Sequence, residues 1–307
     1  MFTPLVMSAA LALATTAPPV AGGPETLGPE TLHRMGIVEE VGGSERINYA
    51  GKLRMLSQRI PAAACNAAAG IAPEDSAAAF AAAVAEYDRI LAALEHGDAD
   101  LGIVGPEQDR KVLADIRALH EVWDPLHATL DEMAAGGMDA ARAAMVAETS
   151  HDLLDVAKHL VGLITSEYAN PAELMQADAI VIDIAGRQRM LAQRISKNAC
   201  LIASGLDAER AATEMGATIE MYGVSLGALR AGMPEAGIAP PPTAEIADGL
   251  AEIAGIWEGL QPVLAKLRAG DGVTEAERAA IFAGGNALTA KMNVLVGKYS
   301  DASAQGL

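Results

Sequence analysis

One helical stretch that occurs twice constrains this chain more than any other feature of its sequence. INYAGKLRMLSQRI covers residues 47–60, and VIDIAGRQRMLAQRI covers residues 181–195. The two copies align at an offset of about 135 residues, and the same offset relates Cys65 to Cys200. We therefore predict that the mature chain is a duplication of two units of similar length.

Hydrophobic spacing and turn signals predict that each unit is a four-helix bundle. Apolar residues recur at spacings of three and four, aromatic residues make up only 3% of the chain, and alanine is abundant. The predicted helices cover about 44–70, 72–97 with its capping turn, 107–135 and 139–168 in the first unit, and 171–204, 207–231, 243–269 and 274–300 in the second. The expected fold class is all-α, with two tandem up-down four-helix bundles related by a pseudo-two-fold.

Four segments are predicted along the chain. Residues 1–21 contain an apolar run followed by small residues and prolines, which is typical of a secretory signal peptide. Residues 22–43 are rich in glycine and proline and should be a flexible lead-in. The first bundle is assigned to 44–169 and the second to 170–307. The signal peptide leads us to expect a periplasmic protein. No later stretch reaches the ~18 uninterrupted apolar residues of a membrane span, so we expect no span in the mature chain.

The joint between the two bundles decides where the repeated motifs lie. In an up-down bundle the fourth helix ends where the first began, so a break at the joint places the fifth helix parallel to the first and beside it. A continuous helix through Asn170 is the alternative, and it would separate the motifs by the length of a bundle. Asn170 followed by Pro171 is a good cap and first turn, which favours the break.

The AGxxRMLxQRI pattern of both copies resembles the PilJ-like family, the N-terminal sensor domain of type IV pili methyl-accepting chemotaxis transducers. It also resembles the related periplasmic domain of nitrate/nitrite sensor kinases. The resemblance implies that the motif lies on the first helix of a four-helix bundle. It also implies that the arginine of the Gly-x-x-Arg-Met core binds the anion at a two-fold dimer interface. That arginine is Arg54 in the first copy and Arg189 in the second, so one chain would reproduce the homodimer interface.

A ligand site between the two motif helices is the consequence of this resemblance. The candidate ligand-binding residues are Ala50, Gly51 and Arg54 in the first copy and Ala185, Gly186 and Arg189 in the second. The small residues would let the helices approach closely, and neither motif carries a carboxylate on the arginine's face. Two guanidinium groups repel each other, so a planar oxyanion such as nitrate or nitrite is the expected guest. The alternative is that both arginines form ordinary ion pairs with some of the 40 acidic residues.

The two cysteines provide a second test of the same geometry. Cys65 and Cys200 each follow the motif arginine by eleven residues, which places them on its helix face about 16 Å along the axis. If the arginines meet, the cysteines should meet as well, and a disulfide is a reasonable hypothesis in an oxidising compartment. The alternative is a pair of small buried thiols.

Composition and missing motifs exclude several function classes. The 22 basic and 40 acidic residues give a formal charge of -18, which argues against nucleic acid or an anionic membrane as the main partner. No nucleophile elbow, phosphate loop, catalytic triad, haem attachment or metal-ligand spacing is present. We therefore expect no catalytic residues, no metal and no cofactor.

The preferred function is ligand sensing in the periplasm. The protein would bind nitrate or nitrite between its motif helices and signal to a separate membrane receptor, kinase or transporter. One alternative is a ligand-free helical adaptor or interaction module of the envelope or pilus machinery, which should expose an apolar patch. Another is a solute carrier that feeds a transporter.

Overall fold

Eight α-helices form the part of the chain that the structure, a computed structural model, describes, residues 42–168 and 176–306. The helices are α1 (Gly43–Ala68), α2 (Pro73–His96), α3 (Arg110–Glu132), α4 (Ala140–Tyr168), α5 (Gln176–Ser204), α6 (Ala208–Ala231), α7 (Ala244–Ala269) and α8 (Glu275–Ala304). Isolated β-bridges close two equivalent turns, and these residue ranges contain no strand. The predicted all-α class is confirmed.

Some predicted segments lie outside the described residues. These are the signal peptide at 1–21, nearly all of the lead-in at 22–43, and the joint that contains Asn170 and Pro171. The proposed boundary between the two bundles therefore stays a prediction.

Helix ends follow the capping chemistry of the sequence. The Asp109 side chain accepts hydrogen bonds from the backbone N–H groups of Lys111 and Val112, so α3 begins three residues later than predicted. Thr274 and Glu277 form a capping box at the start of α8. α1 continues through Pro61, which lies inside the helix.

Each repeat is an antiparallel bundle in which one helix is central. In the first bundle α1 packs against α2 and α4, and in the second α5 packs against α6 and α8. Gln58 of α1 donates to the backbone carbonyl of Ser150 in α4 at 3.3 Å. The equivalent Gln193 of α5 donates to the carbonyl of Gly285 in α8, also at 3.3 Å. The two bundles thus repeat the same contact at the same sequence offset.

Helices α1 and α5 lie side by side and parallel, and they join the two bundles. Near their carboxyl ends, Cys65 and Cys200 form a disulfide with an S–S distance of 2.10 Å. In their amino-terminal halves, Arg54 of α1 contacts Asp183 of α5 at 3.4 Å. Equivalent positions of the repeats therefore face each other. The alternative of bundles stacked end to end is wrong, because it would separate the motifs by the length of a bundle.

Each bundle core contains a contact between a tyrosine ring and a tryptophan ring, stacked in the first bundle and tilted in the second. Tyr87 stacks on Trp123 with ring centroids 3.9 Å apart, and the equivalent pair Tyr222 and Trp257 has centroids 4.4 Å apart. Leucine, isoleucine, valine and alanine fill most of the remaining core. These rings hold α2 to α3 and α6 to α7, on the sides of the bundles away from the α1–α5 contact.

The last helix departs from the expectation that no mature segment could span a membrane. Within Glu275–Ser303 of α8, a window of 18 residues reaches a mean hydropathy of 1.2, which suffices by length and composition for a span. The same helix packs against α5 and α7, and 44% of the apolar window is buried there. Core helices of soluble bundles also meet this criterion. The composition of α8 therefore does not support the expectation that the mature chain lacks a membrane span.

Candidate functional site

The two motif arginines lie beside each other between α1 and α5. Arg54 is 8% exposed and Arg189 is 2% exposed. A Cβ built on Gly51 would lie 3.5 Å from Nη2 of Arg189 and 3.6 Å from Nη2 of Arg54. A Cβ on Gly186 would lie 3.5 Å and 4.0 Å from the same two atoms. Both guanidinium groups therefore border the space that a side chain at Gly51 or Gly186 would occupy.

Small residues create this close approach. Ala50 and Ala185 are fully buried in the contact between the helices, and each directly precedes its motif glycine. Glycine inside a helix costs about 1 kcal/mol relative to alanine, so its presence needs a local reason. At Gly51 and Gly186 that reason is the space in front of the arginine donors.

Arg54 has a carboxylate partner that we did not predict. Its Nη1 and Nη2 atoms both lie 3.4 Å from Oδ1 of Asp183, across the contact between the repeats. Asp183 belongs to the second copy of the motif, and its other oxygen lies 2.6 Å from Nη2 of Arg187. The expectation that neither motif supplies a carboxylate here is wrong, because Asp183 reaches the arginine of the opposite helix rather than that of its own.

Arg189 is surrounded by neutral acceptors. Its Nη1 donates to Oδ1 of Asn293 at 2.6 Å and to Oδ1 of Asn48 at 3.2 Å. Its Nε donates to the carbonyl of Gly186 at 3.3 Å. Among the described residues, no carboxylate lies within ion-pair distance of Arg189. The Arg189 guanidinium group is thus buried among neutral hydrogen-bond acceptors.

The electrostatics of the two arginines follow from these contacts. Burial and, to a smaller extent, the nearby charge of Arg54 together lower the pKa of Arg189 to about 10, while Glu86 opposes the shift. Burial also lowers the pKa of Arg54, although Asp183 counteracts it. Removing a cation from water without pairing it is costly, so this site would gain from a bound anion.

Three other basic residues of the motif pair with carboxylates. Lys52 pairs with Glu86 at 3.1 Å, Arg187 with Asp183 at 2.6 Å, and Arg194 lies 3.6 Å from Glu214. These three residues therefore have carboxylate partners of their own, unlike Arg189.

A second buried polar cluster lies about two turns further along α5. Lys197 is fully buried, donates to Oγ of Ser150 at 3.2 Å and lies 4.0 Å from Oε2 of Glu214. Burial lowers the pKa of Lys197 to about 8. His151 contacts Glu214 at 2.8 Å, so the cluster links α4 of the first bundle to α5 and α6 of the second.

No metal-binding group was found: among residues 42–168 and 176–306, no set of three or more His, Cys, Asp or Glu side chains could hold a metal ion. The two ring nitrogens of His127 lie within hydrogen-bond distance of two carboxylates, Asp88 at 3.0 Å and Asp131 at 3.2 Å. The histidines of α3 therefore form hydrogen bonds along the bundle surface.

Sequence reasoning identified the arginines and small residues that the structure brings together. It missed three polar residues around them, Asn48, Asp183 and Asn293. Asn48 and Asp183 were detectable, because both copies carry a polar residue six positions before the motif arginine. Asn293 carried no such signal, since it comes from α8 and its equivalent in α4 is a lysine.

The fold of the described residues defines a class of protein, an all-helical module built from two tandem repeats. The family described as PilJ, the type IV pili methyl-accepting chemotaxis transducer N-terminal domain, matches residues 39–149 and 173–281. Because these two ranges cover more than half of the chain, the chain belongs to this family, and the predicted resemblance is confirmed. The family consists of non-catalytic sensor domains of transducers. A comparison with curated proteins found no significant match.

Proposed function

We propose that this protein is a periplasmic sensor that binds one small oxyanion, nitrate or nitrite, between Arg54 and Arg189. The observation that carries the proposal is the environment of Arg189, a guanidinium group that is 2% exposed and hydrogen-bonded to amides rather than to a carboxylate. A second cation borders the same space. A bound anion would supply the missing negative charge to Arg189 and a further acceptor to Arg54.

The shape of the donors favours a planar guest. Each guanidinium presents a planar fork of N–H groups, and a planar oxyanion can accept from two forks at once. Nη2 of Arg189 and Nη2 of Arg54 both border the glycine surface, so their donors can converge on one ligand. Charge-assisted hydrogen bonds in a buried site are about twice as strong as neutral ones.

Signalling would follow from the way in which α1 and α5 are connected. The disulfide between Cys65 and Cys200 holds the two helices together near their carboxyl ends. A change in repulsion between Arg54 and Arg189 would therefore act mainly on the amino ends of these helices. A separate membrane receptor, kinase or transporter would detect that movement. A ligand can shift the equilibrium between two arrangements of α1 and α5 only by its differential affinity for them.

Calorimetry of nitrate and nitrite binding to three variants tests the proposal. Arg54→Ala and Arg189→Ala should each abolish binding while the helical content is unchanged. Arg142→Ala is the control, because Arg142 is a partly exposed arginine that pairs with Glu132 at 3.0 Å on the bundle surface. Unchanged nitrate affinity in Arg54→Ala or Arg189→Ala would contradict the proposal.

The adaptor alternative is favoured by one observation. Met221 and Val224 are each 57% exposed and lie three residues apart on α6. The other large hydrophobic side chains exposed in the described ranges are spread over α4, α8 and the loop after α2. A thermal-shift screen separates the two functions: the adaptor predicts no stabilisation by any small anion, whereas the sensor predicts stabilisation that increases with ligand concentration.

A further inference from the structure

The two halves of the arginine site differ at one pair of equivalent positions. Asn48 and Asp183 occupy the same place in the two motif copies, and each contacts the arginine of the opposite repeat. Arg189 donates to the amide oxygen of Asn48 at 3.2 Å, and Arg54 donates to the carboxylate of Asp183 at 3.4 Å. One arginine therefore has a negatively charged partner and the other does not.

Asp183 is shared between two arginines. Oδ1 faces Arg54 at 3.4 Å, while Oδ2 lies 2.6 Å from Arg187 on the next turn of the same helix. The contact to Arg54 is longer than the 2.7–2.9 Å typical of a good charge-assisted bond. The Asp183 side chain is 38% exposed, so it has room to leave Arg54 without unfolding its helix.

We infer that Asp183 competes with the anion for the donors of Arg54. Without the anion, the Asp183 carboxylate occupies these donors. When the anion binds, the carboxylate is released to Arg187. The inference rests on the proposed function, because it concerns the same site. Asp183 then sets the affinity of the site for the anion, because the anion must replace the Asp183 carboxylate at Arg54.

The first repeat lacks the parts needed for such an exchange. Lys52, the equivalent of Arg187, pairs with Glu86 of α2 at 3.1 Å instead of with the residue four positions earlier. That earlier residue is Asn48, which carries no charge. The exchange therefore takes place on α5 alone, and anion binding should change the surface of the second bundle more than that of the first.

Nitrate calorimetry on Asp183→Asn tests the inference. This variant gives both repeats the same amide, which the first repeat already accommodates beside Arg189. Loss of the competing carboxylate should tighten nitrate binding on the order of tenfold. The control is Asp207→Asn, which removes an exposed carboxylate paired with Arg210 at 2.6 Å and lies about 30 Å further along the bundle. It should leave nitrate affinity unchanged.

Arg187→Gln distinguishes the exchange from a general effect of charge. Without Arg187, the released Asp183 has no second partner, so nitrate binding should weaken severalfold. In an Asp183→Asn background the same change should have little effect, because no carboxylate remains to be transferred. Equal effects of Arg187→Gln in both backgrounds would overturn the exchange.

The outcomes separate this inference from the proposed function. If the unmodified protein binds nitrate and Asp183→Asn binds it equally or more weakly, the inference is wrong and the proposed function stands. If only Asp183→Asn binds nitrate, the carboxylate excludes the anion instead of being displaced by it, which overturns the exchange and nitrate binding by the unmodified protein together. Absence of binding by both proteins would overturn the proposed function together with the inference.

Discussion

Cys65 and Cys200 are joined by a disulfide across equivalent positions of the two repeats, 135 residues apart in the sequence. The bond connects the carboxyl-terminal halves of α1 and α5, the two helices that carry the arginines. It therefore fixes which turns of α1 and α5 face each other, and with them the position of Arg54 relative to Arg189.

Removal of the disulfide should cost stability and weaken ligand binding. A cross-link that closes a loop of this length stabilises by up to about 4–5 kcal/mol in the chain-entropy description, and measured values are commonly 2–4 kcal/mol. We expect the variant with Cys65→Ser and Cys200→Ser to lose about 2–4 kcal/mol of unfolding free energy. Denaturant unfolding of the variant and of the oxidised protein measures the difference. Equal stabilities would contradict a structural role for the bond.

Gly51→Ala should separate stability from binding. The added methyl would lie 3.5 Å and 3.6 Å from the Nη2 atoms of Arg189 and Arg54, which is ordinary van der Waals contact. Because alanine favours helix, the unfolding free energy should rise by up to about 1 kcal/mol. The methyl would fill the proposed anion space, so nitrate affinity should fall more than tenfold by calorimetry. Gly162→Ala in α4, where a Cβ meets nothing within 4 Å, is the matched control. It should gain stability without a change in affinity.

Two buried arginines should respond oppositely to the same substitution. Arg189 lacks a carboxylate, so Arg189→Met should raise the unfolding free energy of the ligand-free protein by about 1 kcal/mol or more. Arg46 is 1% exposed and pairs with the buried carboxylate of Glu107 at 3.3 Å. Arg46→Met should therefore destabilise by about 3 kcal/mol, because Glu107 loses its cation. Destabilisation of similar size in both variants would show that Arg189 is a structural residue.

The contact between His151 and Glu214 should make stability depend on pH. The hydrogen bond to Glu214 raises the pKa of His151 above 6.5, although burial opposes the shift. Protonated His151 is thus favoured in the folded protein. Its contribution is complete below about pH 6.5 and is lost as the pH rises through the raised pKa. The difference in unfolding free energy between the unmodified protein and His151→Gln should shrink over that range. A difference that is independent of pH would contradict the assignment.

Helix positions were largely readable from the sequence because local chemistry determines them. Capping residues such as Asp109 and Thr274 mark where helices begin, and glycines mark where helices end. Between these signals, regular apolar spacing continues for six or more turns. The side-by-side arrangement of α1 and α5 followed from the repeat and from the even number of helices in each up-down bundle. With four helices, the chain leaves a bundle at the end where it entered. These features need no knowledge of side-chain contacts.

The polar partners in the site were harder to predict, because they come from other helices. Asp183 was judged by its position relative to Arg189 on the same helix, whereas its contact is to Arg54 on the opposite one. Lys197 was missed for a different reason. Its equivalent in the first repeat is Ala62, so the duplication gave no sign that this position carries a buried charge.

The number of nitrate ions bound per chain tests the central claim most directly. Because each repeat contributes one arginine to the same space, calorimetric titration of the intact protein should give one nitrate per chain. Binding of two nitrate ions, one in each repeat, or of none would contradict an anion site shared between Arg54 and Arg189.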